Sequence, residues 1–382
     1  MALGLQQAAM LAGYWAGVPC LAAQRHGIPA GLWTRLVRYS TVPLRPELVQ
    51  GAPWVPGLRR VADSVLPARP SAWVDFLACR LFDRWVAARL HLVECTAVVG
   101  CEISARSTFR QARRLGRTTI LDAASIHHGA QDRLHGFREP AALHRRIVAI
   151  KDEEIRQADH VFTVSNLARR TYLQAGVPPG RVHALSLGAD IELFAPGADE
   201  RSGPIRLVFA GATLHRKAFD LVVAAFGRVL AQVPSATLAL IGPDGDEADR
   251  AAQLAPGSVR RLGQLSQREL SRELASADCL VLPSRQDSYG MVVVEALACG
   301  TPVLVSDQVG AADLVRTGHN GWVVPAGDLD ALTEQMLWCA RSPAALRGMR
   351  EACRASAVAA TWPDYHRRLA ALMASLTGQP AA

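Results

Sequence analysis

From residue 205 onward, short runs that are apolar on both faces alternate with helix-length amphipathic stretches. The runs occupy residues 205–211, 237–242, 279–284, 302–307 and 321–325, with a weaker one at 259–263. Helical patterns fill the intervals at 217–232, 267–275, 291–299, 311–316 and 328–340. A strand with one face in water alternates apolar and polar residues, whereas these runs need cover on both sides. Helices between such strands supply that cover, so the pattern predicts a doubly wound α/β domain with a parallel sheet. Ligands of such sheets sit beyond the carboxyl ends of the strands, which directs attention to the loops that follow them.

The remaining half predicts a second, less regular domain. At 382 residues the chain exceeds what one hydrophobic core usually serves. Buried strands are expected at 96–102, 118–124, 160–165 and 182–188, with helices between. Residues 55–90 are rich in Pro, Trp and Arg. They suit amphipathic helices that either pack on the domain's own sheet or lie on a membrane surface. The expected division is one domain at 1–197, a second at 203–358, and a terminal helix at 361–378 packed back on the first. Residues 190–202, with Phe194, Pro196 and Gly197, read as a hinge.

Charge placement separates the halves. Residues 1–197 carry 24 Lys and Arg against 15 Asp and Glu, and the remainder 18 against 19. An excess confined to one half suits an anionic acceptor, an acidic membrane surface, or an Arg-decorated solvated face. Nucleic acid is not expected, because no basic run carries interleaved aromatics on which bases would stack. The eight cysteines form no CxxC pair and no zinc spacing with histidine, which points to a reducing compartment and no structural metal. The first 24 residues are uncharged but lack a basic start and contain Gln6, Gln7 and Pro19, which suits neither a signal peptide nor a span.

The most informative stretch runs from Leu282 to Asp307. A strand ends at Ser284, a polar loop follows, and Ser288-Tyr289-Gly290-Met291 lead into a helix. Free N–H groups and the positive end of the dipole at that helix start suit a phosphate, and Gly290 permits close backbone approach. Asp287 in the loop and Glu295 about a turn inside the helix would accept hydrogen bonds from sugar hydroxyls. A second loop, Gly211-Ala212-Thr213-Leu214-His215-Arg216-Lys217, follows the first strand of the domain. Lys occurs only at 151 and 217 in a chain with 42 basic residues, so Lys217 marks a choice of compact point charge over planar fork. By spacing alone these residues also fit a loop Asp, a surface Glu and an ordinary helix start. Asp244-Gly245-Asp246 is a DxD sequence but follows Gly242-Pro243 at a strand end and reads as a tight turn.

These pieces, with Ile241-Gly242, Leu262-Gly263, Ala296-Leu297-Ala298-Cys299-Gly300-Thr301-Pro302-Val303 and Asn320-Gly321-Trp322-Val323-Val324-Pro325, resemble glycosyltransferase family 4 in order and interval. The resemblance spans nearly the whole second domain and extends to residues 182–194 and to Trp362. It implies GT-B architecture, with two Rossmann-like domains facing across a cleft, the first binding the acceptor and the second the nucleotide sugar, and a retaining, metal-independent transferase. It implies no cofactor, since the nucleotide sugar (UDP- or GDP-type) is a substrate, and a glycan or lipid-linked acceptor. Catalytic roles fall to His127, Asp287 and Lys217. Donor contacts fall to Gly211, Arg216, Lys217, Gly242, Ser288, Tyr289, Gly290, Met291 and Glu295, with Glu295 on the ribose and Lys217 on the diphosphate. His127 is one of the pair His127-His128 in the loop after the strand that ends at Leu121-Asp122. The acidic run Lys151-Asp152-Glu153-Glu154 reads as structural helix surface. The implied location is cytoplasmic, with peripheral contact to an anionic membrane on its inner face.

Three departures stand out. The arginine usual after the first loop's glycine is Ala212. Asp287 replaces the usual glutamate, shortening the reach by one methylene. No opening strand and glycine-rich loop is visible, and the expectation is that the sequence opens within the following helix, at 6–13. They motivate a second reading, a weak or inactive relative that binds nucleotide sugar or a protein partner. A nucleotide-sugar epimerase, acting without acceptor, is a third.

Overall fold

In a computed structural model, the described residues are 1–17, 43–52, 55, 67–137, 139–197, 203–211, 215–242 and 257–378. Ala212 and the Asp244-Gly245-Asp246 turn lie outside them, as do residues 56–66 of the amphipathic stretch. The chain forms two compact units. One comprises Met1–Thr163, Tyr172–Leu185 and His366–Ala382, the other Val164–Thr171 and Ser186–Tyr365.

The first unit opens with helix α1 (Ala2–Gln7) and strand β1 (Tyr14–Ala16), which pairs in parallel with β2 (Val49–Gly51). The helix expected at 6–13 therefore ends early. Ala9 takes a positive φ of 52° and breaks the helical path, and Trp15 Nε1 then donates to Gln50 Oε1 across the strand pair at 3.0 Å. Helix α2 (Ala68–Arg89) precedes a four-stranded parallel sheet in the order β3 (Ala97–Cys101), β4 (Thr118–Ala123), β5 (His160–Thr163), β6 (Val182–Ala184). Helices α3 (Arg106–Arg114), α4 (His128–His135) and α5 (Ala141–Gln157) lie between the strands, and α6 (Asn166–Gln174) follows β5. Phe109, Leu121, Val161 and Tyr172 fill the core of this unit.

The start of α3 shows how the acidic run is used. Four amides at this helix end need acceptors that no helical carbonyl supplies. Glu154, fully buried, accepts from the N–H groups of Ile103 (2.7 Å), Ala105 (2.9 Å) and Arg106 (3.0 Å). Asp83, also fully buried, accepts from those of Ser107 (2.8 Å) and Thr108 (2.9 Å), and Arg80 pairs with it at 2.7 Å. Surface was thus the wrong expectation for Glu154. Its partners come from a helix about 50 residues upstream, which local spacing does not reveal. Burial pushes its carboxyl up to about 7, against the three N–H donors and Arg80 that pull it down.

The second unit contains a six-stranded, all-parallel sheet built from β7 (Arg206–Ala210), β8 (Thr237–Ile241), β9 (Val259–Gly263), β10 (Cys279–Leu282), β11 (Val303–Ser306) and β12 (Gly321–Val324). Spatial order is β9-β8-β7-β10-β11-β12, so the direction of winding reverses between β7 and β10. The helices are α7 (Phe219–Leu230), α8 (Gln267–Ser276), α9 (Met291–Ala298), α10 (Leu329–Arg341), α11 (Pro343–Gly348) and α12 (Arg350–Val358). Helix α13 (Trp362–Thr377) ends the described chain. All four residues of β10 are fully buried, as its both-faces apolar pattern requires. Leu280, Val281 and Leu282 each contribute about 2 kcal/mol by leaving water.

Two local expectations change in this unit. Residues 311–316 were expected to be a helix, but a 3-10 turn occupies Gly310–Leu314. Its first amides, those of Gly310 and Ala311, donate to the carbonyls of Asp287 and Tyr289 in a neighbouring loop. Residues 190–197 of the expected hinge are anchored: Phe194 is buried, and Arg354 donates to the carbonyls of Ile191 (2.9 Å) and Phe194 (2.8 Å).

Candidate functional site: the switch point of the second sheet

The reversal between β7 and β10 places their following loops side by side, and a crevice at such a point is where doubly wound sheets take ligands. Gly211 ends β7, with a positive φ of 145° that glycine adopts without strain. The stem of Lys217 lies along it, so that a Cβ at 211 would sit 3.7 Å from Lys217 Cε. A 3-10 turn at His215–Lys217 leads into α7. Lys217 Nζ donates to Asp287 Oδ2 in the loop after β10, and both side chains are largely buried.

Several clips hold the two loops together. The Arg216 carbonyl accepts from the amide of Arg285 at 2.9 Å. The Arg285 guanidinium grips both oxygens of Asp220, each at 2.7 Å, and donates to the His215 carbonyl at 2.8 Å. That bidentate pair draws the Asp220 carboxyl below its ordinary range, chiefly through the hydrogen bonds from Arg285. Nothing in local sequence spacing marks Arg285 and Asp220 as partners.

The Asp287 loop docks on the 308–311 segment. Asp287 N–H donates to Gln308 O (2.8 Å), Gly310 N–H to Asp287 O (2.9 Å) and Ala311 N–H to Tyr289 O (2.7 Å). The Tyr289 ring is buried, and its hydroxyl donates to the Leu187 carbonyl. Gly290 then turns the chain into α9 with φ of 86°, and a Cβ there would fall 2.8 Å from Val309 Cγ1. Close approach and left-handed backbone both demand glycine. No side chain caps α9, so its first amides and dipole end face the crevice with Met291 at the first position.

Glu295 stands one turn into α9, half-buried. Among the described residues its carboxylate has no hydrogen-bonding partner, and burial alone pushes it up to about 7. A carboxylate held this way gains most from a ligand that donates two hydroxyl hydrogens. Gly211, Arg216, Lys217, Asp287, Ser288, Tyr289, Gly290, Met291 and Glu295 therefore gather at one end of this sheet. Gly242 lies at the end of the adjacent strand β8, where its amide donates to Gly263 O at 2.9 Å.

His127 belongs to the first unit. It is the N-cap of α4, its Nδ1 accepting from the Gly129 amide at 3.1 Å. That bond places the proton of the neutral ring on Nε2. Its ring sits edge-on to Tyr172 (centroids 5.2 Å apart) and against His128 (4.1 Å). Burial, and then the neighbouring His128, lower it to about 4. His128 Nε2 is 2.9 Å from Asp152 Oδ1. Among the described residues, His127, His128 and Asp152 are the group whose ligand atoms, within 4.8 Å of one another, could hold a metal ion.

With this geometry in place, the comparisons can be read. Residues 204–342 match the family model described as glycosyl transferases group 1. A D-inositol 3-phosphate glycosyltransferase from Kribbella flavida is 27% identical over 299 residues, which is 72% of this chain and 62% of that protein. D-inositol 3-phosphate glycosyltransferase 1 from Catenulispora acidiphila is 31% identical over 221 residues, 52% of this chain and 53% of that protein. The chain thus spans roughly half to three-fifths of the length of these curated relatives. In fold, it resembles sucrose-phosphate synthase from Thermosynechococcus elongatus (TM-score 0.67, 21% identity, 79% of each chain). It also resembles Anabaena Alr3699/HepE solved with UDP (TM-score 0.65, 17% identity, 77% of this chain and 82% of that one). The chain has the GT-B fold, and residues 204–342, which hold the switch-point residues, match the model of the group 1 glycosyl transferases.

Proposed function

We propose that the protein is a retaining glycosyltransferase that moves a sugar from a UDP- or GDP-type donor to a glycan or lipid-linked acceptor. The observation that carries this reading is the convergence of Lys217, Asp287, the uncapped start of α9 and the half-buried Glu295, unpartnered among the described residues, at one switch point. Three features there suit three parts of one ligand. The helix start and Lys217 suit a diphosphate, Glu295 a ribose with two hydroxyls, and Asp287 the transferred sugar. The group 1 match covers all of these residues, and Anabaena Alr3699/HepE, of the same fold, was solved with UDP and with UDP-glucose.

In this reading Lys217 turns from Asp287 to the diphosphate, and Asp287 accepts from a hydroxyl of the sugar. The bond from the sugar's anomeric carbon to the diphosphate oxygen breaks. The acceptor oxygen bonds to that carbon on the same face, and its proton passes to the departing phosphate oxygen. Lys217, Arg216 and the α9 amides stabilise the charge that develops on the leaving group, so the reading assigns that task to protein groups and not to a metal. His127, neutral and with its proton on Nε2, is in this reading a hydrogen-bond donor.

The basic first 197 residues favour a phosphorylated or otherwise anionic acceptor, or a peripheral seat on an anionic membrane from the cytoplasmic side. No described helix is long and apolar enough to cross a membrane. A thermal-shift screen against UDP, GDP, ADP and their sugar conjugates tests the donor site. A selective rise is expected, equivalent to about 2.7 kcal/mol at a hundredfold excess over Kd. A well-folded sample that responds to none of them sinks the proposal. Loss of sugar transfer by a folded Glu295→Ala variant would separate a catalyst from a binding-only relative.

A further inference from the structure

We propose that Ser165 is a positioning residue for the donor loop: its hydroxyl pins the Ser288 carbonyl and thereby fixes the peptide plane that leads into α9. This rests on the donor-site reading above. Ser165 is fully buried and lies in the segment Val164–Thr171, which clusters with Ser186–Tyr365. Its Oγ donates to Ser288 O at 2.6 Å and accepts from the Ala168 amide at 3.0 Å, at the start of α6. The hydroxyl proton is therefore directed to Ser288 by a local acceptor role that uses the oxygen's lone pair.

The consequence follows from peptide geometry. In a planar trans peptide the C=O and the next N–H point in opposite directions. Fixing Ser288 O toward Ser165 sends the Tyr289 N–H the other way, toward Asp287 Oδ1 at 3.4 Å. The neighbouring carbonyls are held as well, Asp287 O by the Gly310 amide and Tyr289 O by the Ala311 amide. Three successive carbonyls of the 287–289 loop thus have donors, and the amides of Asp287 and Tyr289 donate in turn to Gln308 O and Asp287 Oδ1, so the peptide planes of the loop are fixed. Carbonyl oxygens facing a diphosphate would repel it, so the orientation decides whether the site accepts an anion. Gly310 makes the arrangement possible. A Cβ there would lie 2.2 Å from Ser288 O and 2.6 Å from Ser165 Oγ.

Hydrogen–deuterium exchange of the full chain, with and without the nucleotide that stabilises it (UDP as the first probe), tests the assignment. In Ser165→Ala the Gly310 and Ala311 amides should exchange about tenfold faster in the free protein, as expected for one lost buried hydrogen bond. The nucleotide Kd should rise by about tenfold. Asn166→Ala, which removes the neighbouring 2.9 Å bond from Asn166 to Asp313, should change neither by more than about threefold. Wild-type exchange at Gly310 and Ala311 in Ser165→Ala, or equal effects from Asn166→Ala, would overturn the proposal. If Ser165→Ala does not fold, Ser165→Cys, a weaker donor, is read in the same way. If wild type binds no nucleotide, the donor reading fails, and the exchange comparison still decides the role of Ser165.

Discussion

Lys217 and Asp287 stand 70 positions apart in the chain and form an ion pair where the second sheet reverses its winding. The pair is more than a link between two loops. It keeps a cation and a carboxylate in a largely buried place, and in the proposed function each exchanges its partner for a phosphate or a hydroxyl. Removing either member leaves the other charge buried and unpaired.

Lys217→Ala should therefore destabilise the free protein by about 3 kcal/mol, measured by urea unfolding, and abolish nucleotide-induced stabilisation. The double variant Lys217→Ala/Asp287→Ala should be less destabilised than the two single changes added together, with a coupling above about 1 kcal/mol. Additive single effects would show that the pair does not hold in solution.

Glu295 gives a pH signature. Its folded value of about 7 lies above the ordinary carboxyl range, so the folded state holds its proton more tightly than the unfolded chain. The associated stability is fully present below about pH 4.5 and is lost as pH rises through 7. Relative to Glu295→Gln, the wild type should lose up to about 3 kcal/mol across that window. Glu154, also raised to about 7, is common to both proteins and cancels in the difference. Nucleotide binding near pH 6.5 should release protons, because ribose hydroxyls favour the carboxylate, and calorimetry in buffers of different ionisation enthalpy reads this directly. A difference between the two proteins that is flat with pH would refute the burial of this carboxyl.

Gly290→Ala tests backbone approach. The left-handed φ and the 2.8 Å encounter with Val309 Cγ1 act together. A loss of about 2 kcal/mol of stability and of nucleotide binding is expected. A fully stable, nucleotide-binding alanine variant would contradict the geometry at this turn.

How much of this was legible in the sequence depends on whether the partner was local. The strands β7 to β12 were readable because each is apolar on both faces and separated by a helix, so every run carries its own signal. Gly290, Glu295 and Lys217 drew attention through their place after strand ends, the scarcity of Lys and the family resemblance, while spacing alone also fitted ordinary structural roles. Arg285 gripping Asp220, and Ser165 under Ser288, were not, because each meets a group 65 or more residues away and has no periodic signature. Glu154 was misread for the same reason. In a helix that otherwise carries Arg and Glu on its surface, only the distant start of α3 makes it a buried cap. The β1–β2 pair was missed because two three-residue strands carry too little pattern to stand out.

The role of Glu154 can be separated from that of its exposed neighbours. Glu154→Ala would leave one buried and two part-buried amides without this acceptor and should cost about 3 kcal/mol in thermal or urea unfolding. Glu153→Ala removes only part-exposed pairs to Arg106 and Arg110 and should stay within about 1 kcal/mol. Equal effects would remove the capping argument.

His127 is set apart by the form of its ring. Its Nδ1 is committed to the Gly129 amide, and burial lowers it to about 4. Across pH 5.5–8 it is therefore neutral, with the proton on Nε2, and under the proposed function it serves as a hydrogen-bond donor instead of a proton acceptor. Two results follow for a transfer assay with a matched donor and acceptor. The pH profile of kcat/KM should show no ionisation from His127 in this range, so the wild type and His127→Gln should have profiles of the same shape. The absolute rate should fall, by about 10²-fold in His127→Ala, the size expected when one preorganised donor to a developing charge is removed. If His127→Gln instead abolished an ionisation near pH 6.5 seen in the wild type, the ring would be titrating as a general base, and the tautomer fixed by Gly129 would not be the working one.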